Sequence, residues 1–389
     1  MSEMGPPGDE RAPGVPEGDR GVAPAEVQLY DDAPAAGGPG ATSGRGSRRR
    51  AARQRRRRLV LGIVAAVVVL ILAVVAWYEI EAHPRGAPGK TVVLSVHEGE
   101  STSSVVSALV DGKVIDSSLA FRIFLFVHGT PLIEPGDYAM RQNSSFASVH
   151  QLLAGGPNTY SLAIPAGFTL AEVANRIGTI PGHHPQSFYK DATDGSVTSP
   201  WLPAGSTNLE GLVGSGTYLV LPGESNVTLL TQMVAEFNRQ AAAAGLTTTS
   251  ATALGLSPYQ VIIAASIVEK EGYVEKNMPD VARVIYNRLA KGTALQMDST
   301  ILYSLGQDGG TVTKADLAKD TPYNTYLHTG LTPTPICIPS QTALAAAVSP
   351  PPGDWLFFEV VSKDGTEAFS STFSGQLANE ALAQSRGLG

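Results

Sequence analysis

The chain has 389 residues, room for two or three domains and a sizeable core. Its net charge of -7 hides an asymmetry: residues 1–58 carry 11 basic and 8 acidic side chains, which leaves 17 basic and 27 acidic beyond them. So acidic a folded part argues against a nucleic-acid partner, and the single cysteine, Cys337, excludes an internal disulfide or a CxxC zinc or redox site.

Residues 1 to about 47 are rich in Pro, Gly and Ala and predict a disordered tail. Arginines 48–50, 53 and 55–58 follow, and then Leu59 through Tyr78 form one apolar run without a charge. That length spans a bilayer. The arginine block keeps its own side cytoplasmic, and its place beside a membrane span explains it better than nucleic acid does. A cleaved signal peptide fits less well, because the run is long and begins late. The expected order is a cytoplasmic tail over 1–58, a transmembrane helix over 59–78 and a linker over 79–90. A small module over 91–158 and a larger domain over 159–389, both extracytoplasmic, complete it.

Within the module, Leu94-Ser95-Val96-His97-Glu98-Gly99-Glu100-Ser101 is echoed 68 residues later by Leu162-Ala163-Ile164-Pro165-Ala166-Gly167-Phe168-Thr169. Each is an extended apolar segment, a turn glycine and a hydroxyl residue able to cap a helix, which suggests two related strand-turn-helix units. From Leu209 the chain reads as one α-rich domain with helices over 225–244, 257–271, 279–290, 299–305, 314–318 and 341–347. Asn277 is a candidate cap for the third. Residues 355–361 and 366–370 read as two strands joined at Lys363-Asp364-Gly365.

The chemistry concentrates at Ala265-Ser266-Ile267-Val268-Glu269-Lys270-Glu271. Ser257 caps this helix, Pro258 suits its first position and Gln260 completes a capping box. Only Ser266 is polar between Val261 and Val268, so the helix should be buried nearly all round. A Glu at its end is poorly solvated and close to the helix's negative pole. Both effects raise its pKa, which suits a general acid. Helical spacing alone does not choose between Glu269 and Glu271, which flank Lys270 on opposite sides.

Several further segments, in combination with that helix, resemble the MltG/YceG-like family of membrane-anchored endolytic murein transglycosylases. They are Val284-Ile285-Tyr286-Asn287-Arg288-Leu289, Leu295-Gln296-Met297-Asp298-Ser299-Thr300, Pro322-Tyr323-Asn324-Thr325-Tyr326 and Gly330-Leu331 with Pro333 and Pro335. Upstream, Gly136-Asp137-Tyr138, Ile164 to Leu170, Leu209-Glu210-Gly211 and Thr217-Tyr218 also fit. The likeness runs over about 91 to 375. It implies an α+β fold: one N-terminal transmembrane helix, a small LysM-like α/β module over 91–158, and an α-rich YceG-like catalytic domain with a small β element over 159–389.

The resemblance implies non-hydrolytic cleavage of the MurNAc-GlcNAc bond in nascent peptidoglycan strands. One Glu protonates the glycosidic oxygen and then, as a base, takes the proton from the MurNAc C6 hydroxyl, which closes on C1. The motif places that carboxylate on Glu271. It puts Gln296, Asp298, Tyr323, Asn324 and Thr325 near the cleft, with Glu269 lining it or pairing a nearby cation. No metal or cofactor is implied. Penicillin-binding proteins or other wall synthases are the expected protein partners, and the localisation is the cell membrane, single-pass, with the N-terminus cytoplasmic.

Plainer roles compete. Asp298 could simply open the helix after it, Asn324 could bond its own loop backbone and Arg288 could be a buried structural cation. His183-His184 lacks a third ligand at useful spacing and reads as a solvated loop. Cys337, between two isoleucines, reads as a small buried apolar residue.

The chain departs from the family pattern at several places. Gly272 stands where Thr usually follows the catalytic Glu. Gly214-Ser215-Gly216 replaces a Phe-Pro-Asp, Ala166 a Glu, Ile338-Pro339-Ser340 an Asn-Pro-Gly, and Ser374-Gly375-Gln376 stands where a Glu-His pair is common. These departures support a second reading, a wall-binding scaffold with a degenerate cleft. A third is a muramidase-type hydrolase, which needs a second carboxylate to activate water, with Asp298 or Glu269 as candidates.

Overall fold

A computed structural model describes residues 45–272 and 274–388, so the expected disordered tail, up to residue 44, lies outside the described residues. The chain divides into two compact units between Ala73 and Val74. The first helix, α1 (Arg45–Ala82), starts in one and ends in the other. Over Arg53–Ala82 it is the one helix among the described residues long and apolar enough to cross a membrane.

From Val74 onward two separate cores form. The first belongs to a β-α-α-β-α unit: β1 (Thr91–Val96), α2 (Thr102–Asp111), α3 (Ser118–His128), β2 (Gly136–Arg141) and α4 (Phe146–Ala154). β1 and β2 pair antiparallel, Thr91 facing Arg141 and Val96 facing Gly136. Ser101, Ser117 and Ser145 cap the three helices, each side chain accepting from the amide three residues on. Val105, Leu109, Phe121, Tyr138 and Phe146 fill the core. The end of α1 joins it: Ala82 is buried, and Trp77 and Tyr78 pack against it.

The second core runs from Leu162 to Ala347. It begins with β3 (Tyr160–Ile164), α5 (Leu170–Ile177), α6 (Pro185–Asp191) and β4 (Gly216–Val220), with β3 and β4 antiparallel. The echo is visible here. β3 leads through a turn to α5 as β1 leads to α2, and Thr169 caps α5 in a full capping box with Glu172. There follow α7 (Asn226–Ala243), α8 (Thr248–Ala253), α9 (Pro258–Glu271), a 3-10 turn (Glu275–Asn277) and α10 (Met278–Ala290). Then come α11 (Asp298–Ser304), α12 (Lys314–Leu317), α13 (Gln341–Val348), the antiparallel hairpin β5 (Phe357–Val360) and β6 (Glu367–Ser370), and α14 (Phe373–Ser385). Among the described residues the fold is thus a mix of helices with three two-stranded sheets.

α9 is the centre of this second core, touched by α8, α10, α11 and α13. Its capping box forms as the sequence predicts: Ser257 Oγ accepts from the Gln260 amide and Gln260 Oε1 from the Ser257 amide. Every residue from Val261 to Val268 is buried. Ser266, the one polar residue among them, donates to the Ile263 carbonyl at 2.7 Å and accepts from the Ile336 amide at 3.0 Å. Cys337 is fully buried beside it and donates to the Ser266 carbonyl. Asn277 precedes α10 but does not cap it; its amide donates instead to the Gly365 carbonyl at 2.8 Å, tying the helix start to the hairpin turn.

Candidate active site

α9 ends at the wall of a trough, and Glu271 is its last residue. The chain can leave the helix there because Gly272 has no side chain. A Cβ at Gly272 would lie 2.7 Å from Met278 Cγ and 3.0 Å from the Val268 carbonyl oxygen. The close approach accounts for glycine where the family pattern has threonine.

Three depressions join to make the trough. The middle one, about 240 Å³, is walled by Glu271, Asp298, Ser299, Lys270, Asp308 and Tyr303, among others. On one side Glu271 and Asp298 also wall a cavity of about 380 Å³, with Gln296, Arg288, Tyr326, Phe357 and Phe373. On the other side Tyr303, Thr169 and Asp308 lead into a cavity of about 450 Å³ with Tyr189, Glu210 and Tyr323. Glu271 therefore sits part-way along the trough, with space on both sides of it.

The electrostatics suit an acid. Burial pushes the Glu271 carboxyl above its ordinary value, the Ser299 amide pulls it partly back, and the nearby Asp298 carboxylate pushes it up again. The Ser299 amide donates to Glu271 Oε1 at 3.1 Å, which fixes the carboxyl against the start of α11. Asp298 itself is exposed to the trough and accepts from the Tyr326 hydroxyl at 2.5 Å. Its side chain does not cap α11, although the helix begins at Asp298.

Gln296 stands exposed on the trough wall at a positive φ of 55°. That strained turn is kept in place by its amide, which donates to the Thr325 carbonyl at 3.0 Å. Tyr323 lines the far cavity, its hydroxyl 2.8 Å from Thr334 Oγ1 and its ring 4.9 Å from that of Tyr303.

Asn324, Thr325 and Glu269 stand away from the walls of these three depressions. Asn324 is fully buried, donating to the Leu317 and Lys319 carbonyls and accepting from the Tyr326 and Leu327 amides. Thr325 Oγ1 accepts from the Met297 amide at 3.0 Å and lies 2.9 Å from Thr300 Oγ1. Glu269 accepts from the Ser340 amide at 2.9 Å, at the start of α13, where a carboxylate also meets the positive helix pole. These three side chains shape the walls from behind.

Arg288 is a buried cation with a structural task. It donates to the Leu356 carbonyl at 2.6 Å and the Leu295 carbonyl at 2.5 Å, with Phe357 5.1 Å from its guanidinium. It fastens the hairpin and the Gln296 loop to α10. His183 contacts Asn226 Oδ1 at 2.8 Å, and among the described residues no group of three His, Cys, Asp or Glu side chains is placed to hold a metal ion.

Glu210 received no role from the sequence. It is 3% exposed yet walls the 450 Å³ cavity, accepting from the Leu170 amide at 2.9 Å and from the Tyr303 hydroxyl at 3.1 Å. Burial pushes its carboxyl up to about 7, outweighing those hydrogen bonds. The turn that seats it needs Gly211, whose φ is 71° and where a Cβ would lie 2.3 Å from Pro335 Cβ. The signal available in sequence was an acid set between Leu209 and Leu212-Val213.

Residues 94–381 match the model of the YceG-like family, and the chain belongs to that family. An endolytic murein transglycosylase of Bacillus subtilis is 28% identical over 298 residues, 72% of this chain and 82% of that one. One from Streptococcus pneumoniae strain R6 is 26% identical over 300 residues, 69% of this chain, which spans only 54% of the pneumococcal protein. The crystal structure of a YceG-like protein from Listeria monocytogenes matches with a TM-score of 0.51 at 28% identity, covering 75% of this chain and 99% of that one.

Proposed function

We propose that this protein is a membrane-anchored endolytic murein transglycosylase. The observation that carries the reading is a carboxyl of raised pKa placed part-way along an open trough. A strand can enter on either side of Glu271, as cleavage within a chain requires. The names borne by the Bacillus and pneumococcal relatives support the same activity.

In the mechanism, protonated Glu271 donates to the glycosidic oxygen between MurNAc and GlcNAc as the C1–O bond breaks. The carboxylate left behind takes the proton from the MurNAc C6 hydroxyl, whose oxygen bonds to C1. The products are a 1,6-anhydroMurNAc end and a free GlcNAc hydroxyl, with Glu271 protonated again. One carboxyl suffices because the nucleophile belongs to the substrate. Asp298 and Gln296 flank the reacting centre and stabilise developing positive charge or orient the sugar. Tyr323 and Tyr303 offer ring faces to sugars farther along. Asn324, Thr325 and Glu269 act indirectly, by holding the loops.

The anchor is α1, with the arginine block inside and the enzyme outside the cytoplasm. The β-α-α-β part of the first core serves as a LysM-like glycan-holding module. Penicillin-binding proteins or other wall synthases are its partners at the membrane.

A hydrolytic reading has one observation in its favour: Asp298 is a second carboxylate on the trough, close enough to raise Glu271. It would have to activate water on C1. Mass spectrometry of uncrosslinked glycan strands after incubation with the protein separates the outcomes. Anhydro ends that disappear with Glu271→Gln are expected. Reducing MurNAc ends would replace the transglycosylase reading with the hydrolase. Glycan binding without any cleavage, by wild type and variant alike, would leave a scaffold.

A further inference from the structure

We infer that α3 of the first core is a membrane-surface element, seated in the outer headgroup layer beside the end of the anchor. This rests on the reading of α1 as a membrane anchor.

α3 has the sequence SLAFRIFLFVH and is apolar on two opposite faces. One stripe, Ala120, Phe121, Phe124 and Leu125, is buried in the core. The other, Leu119, Ile123, Phe126 and Val127, recurs at helical spacing yet is 62%, 41%, 90% and 67% exposed, with Leu132 just beyond it at 84%. Scattered exposed apolar side chains need no explanation, but a contiguous stripe marks a surface that something covers.

The chain itself indicates what covers this one. The apolar run of α1 ends at Trp77-Tyr78, the residue types that settle at the membrane-water boundary. Tyr78 is no free linker residue, because its ring meets Phe146 at 6.4 Å, and Phe146 meets Phe121 at 5.2 Å and Phe124 at 5.9 Å. Two ring contacts thus connect the boundary residue to α3. An apolar helix of 11 residues is too short to span but has the length of an interfacial one.

Charge agrees. The folded part is strongly acidic overall, yet α3 contains no acidic residue and displays Arg122, which suits anionic phospholipid. A second copy of the chain or another protein would gain nothing from the nearness to Tyr78; a bilayer is there in any case.

The test uses the full chain in nanodiscs of phosphatidylethanolamine and phosphatidylglycerol. Nitroxide labels are placed by Val69→Cys in the anchor, Phe126→Cys in α3 and Thr248→Cys on exposed α8. Native Cys337 is fully buried, and the unsubstituted chain checks that it takes no label. Collision with oxygen, which concentrates in lipid, is compared with collision with a water-soluble nickel chelate. Labels at Val69 and Phe126 should favour oxygen severalfold over the label at Thr248. A lipid-exposed label at Val69 with a nickel-accessible one at Phe126 overturns the inference and leaves the anchor standing. Shielding at Phe126 from both reagents means that a protein covers α3, and also overturns it. Nickel access at Val69 removes the anchor reading, and the inference with it.

Discussion

Replacing Glu210 by Gln should stabilise the protein at about pH 8 and leave it unchanged at about pH 4. The carboxyl is buried and its value is pushed up to about 7 from an ordinary 4.5. In the folded state it therefore binds a proton that the unfolded chain has released. Below about pH 4.5 both states are protonated and the shift contributes nothing. As pH rises toward 7 the native state alone keeps the proton, so wild-type stability falls. Above about 7 the ionised carboxylate stays buried and the full cost of about 3 kcal/mol applies, at about 1.4 kcal/mol per tenfold. Gln has the same volume, offers an oxygen to the Leu170 amide and cannot ionise. The assay is urea unfolding of wild type and Glu210→Gln in detergent at about pH 4, 6 and 8, read by tryptophan fluorescence. A difference growing to about 3 kcal/mol across that range is expected. A difference independent of pH, or one favouring wild type at about pH 8, would refute the argument that burial governs this carboxyl.

Glu271→Gln should keep the fold and reduce anhydro-end formation by about a hundredfold to ten-thousandfold, measured by product analysis. Because Glu271 must start protonated, the alkaline limb of the rate profile follows its pKa. Asp298→Asn removes a charge that raises Glu271 and should move that limb to lower pH. An unmoved limb, or one moved to higher pH, would contradict the assigned cause. Gly272→Thr should lower stability by about 1–3 kcal/mol in thermal melts, through collision with Met278. Arg288→Met should cost about 2–3 kcal/mol in the same melts, since the Leu295 and Leu356 carbonyls lose a buried donor.

The helices of the second core were legible where local chemistry announces them. Ser257-Pro258 and Gln260 mark the start of α9, and a run apolar but for Ser266 predicts its burial. α8 (TTSATA) has weak intrinsic helix preference and forms because α9 packs on it. β3 and β4 are 52 residues apart, too far for any turn signal to announce their pairing. The polar segment 323–325 shows the same limit within the candidate site. Tyr323 faces the trough, while the next two side chains turn inward to backbone groups, and the direction of each depends on loops from elsewhere in the chain. Glu210, matched only as part of Leu209-Glu210-Gly211, received no role because its significance lies in burial beside Tyr303, 93 residues away.

The contacts that frame the trough also have a temporal side. Ser266 waits for Ile336, Glu269 for Ser340, Tyr286 for Ala347, and Arg288 for Leu356, separations of 70, 71, 61 and 68 residues. Loops that long must close before any of these bonds can form, so this part of the fold has high contact order and should assemble slowly. A chain made from its N-terminus would complete the module around β1 and β2 early. α9 would stay unsupported until nearly everything up to Leu356 was free to fold, so a partly made copy would have a finished module while its trough was still unbuilt.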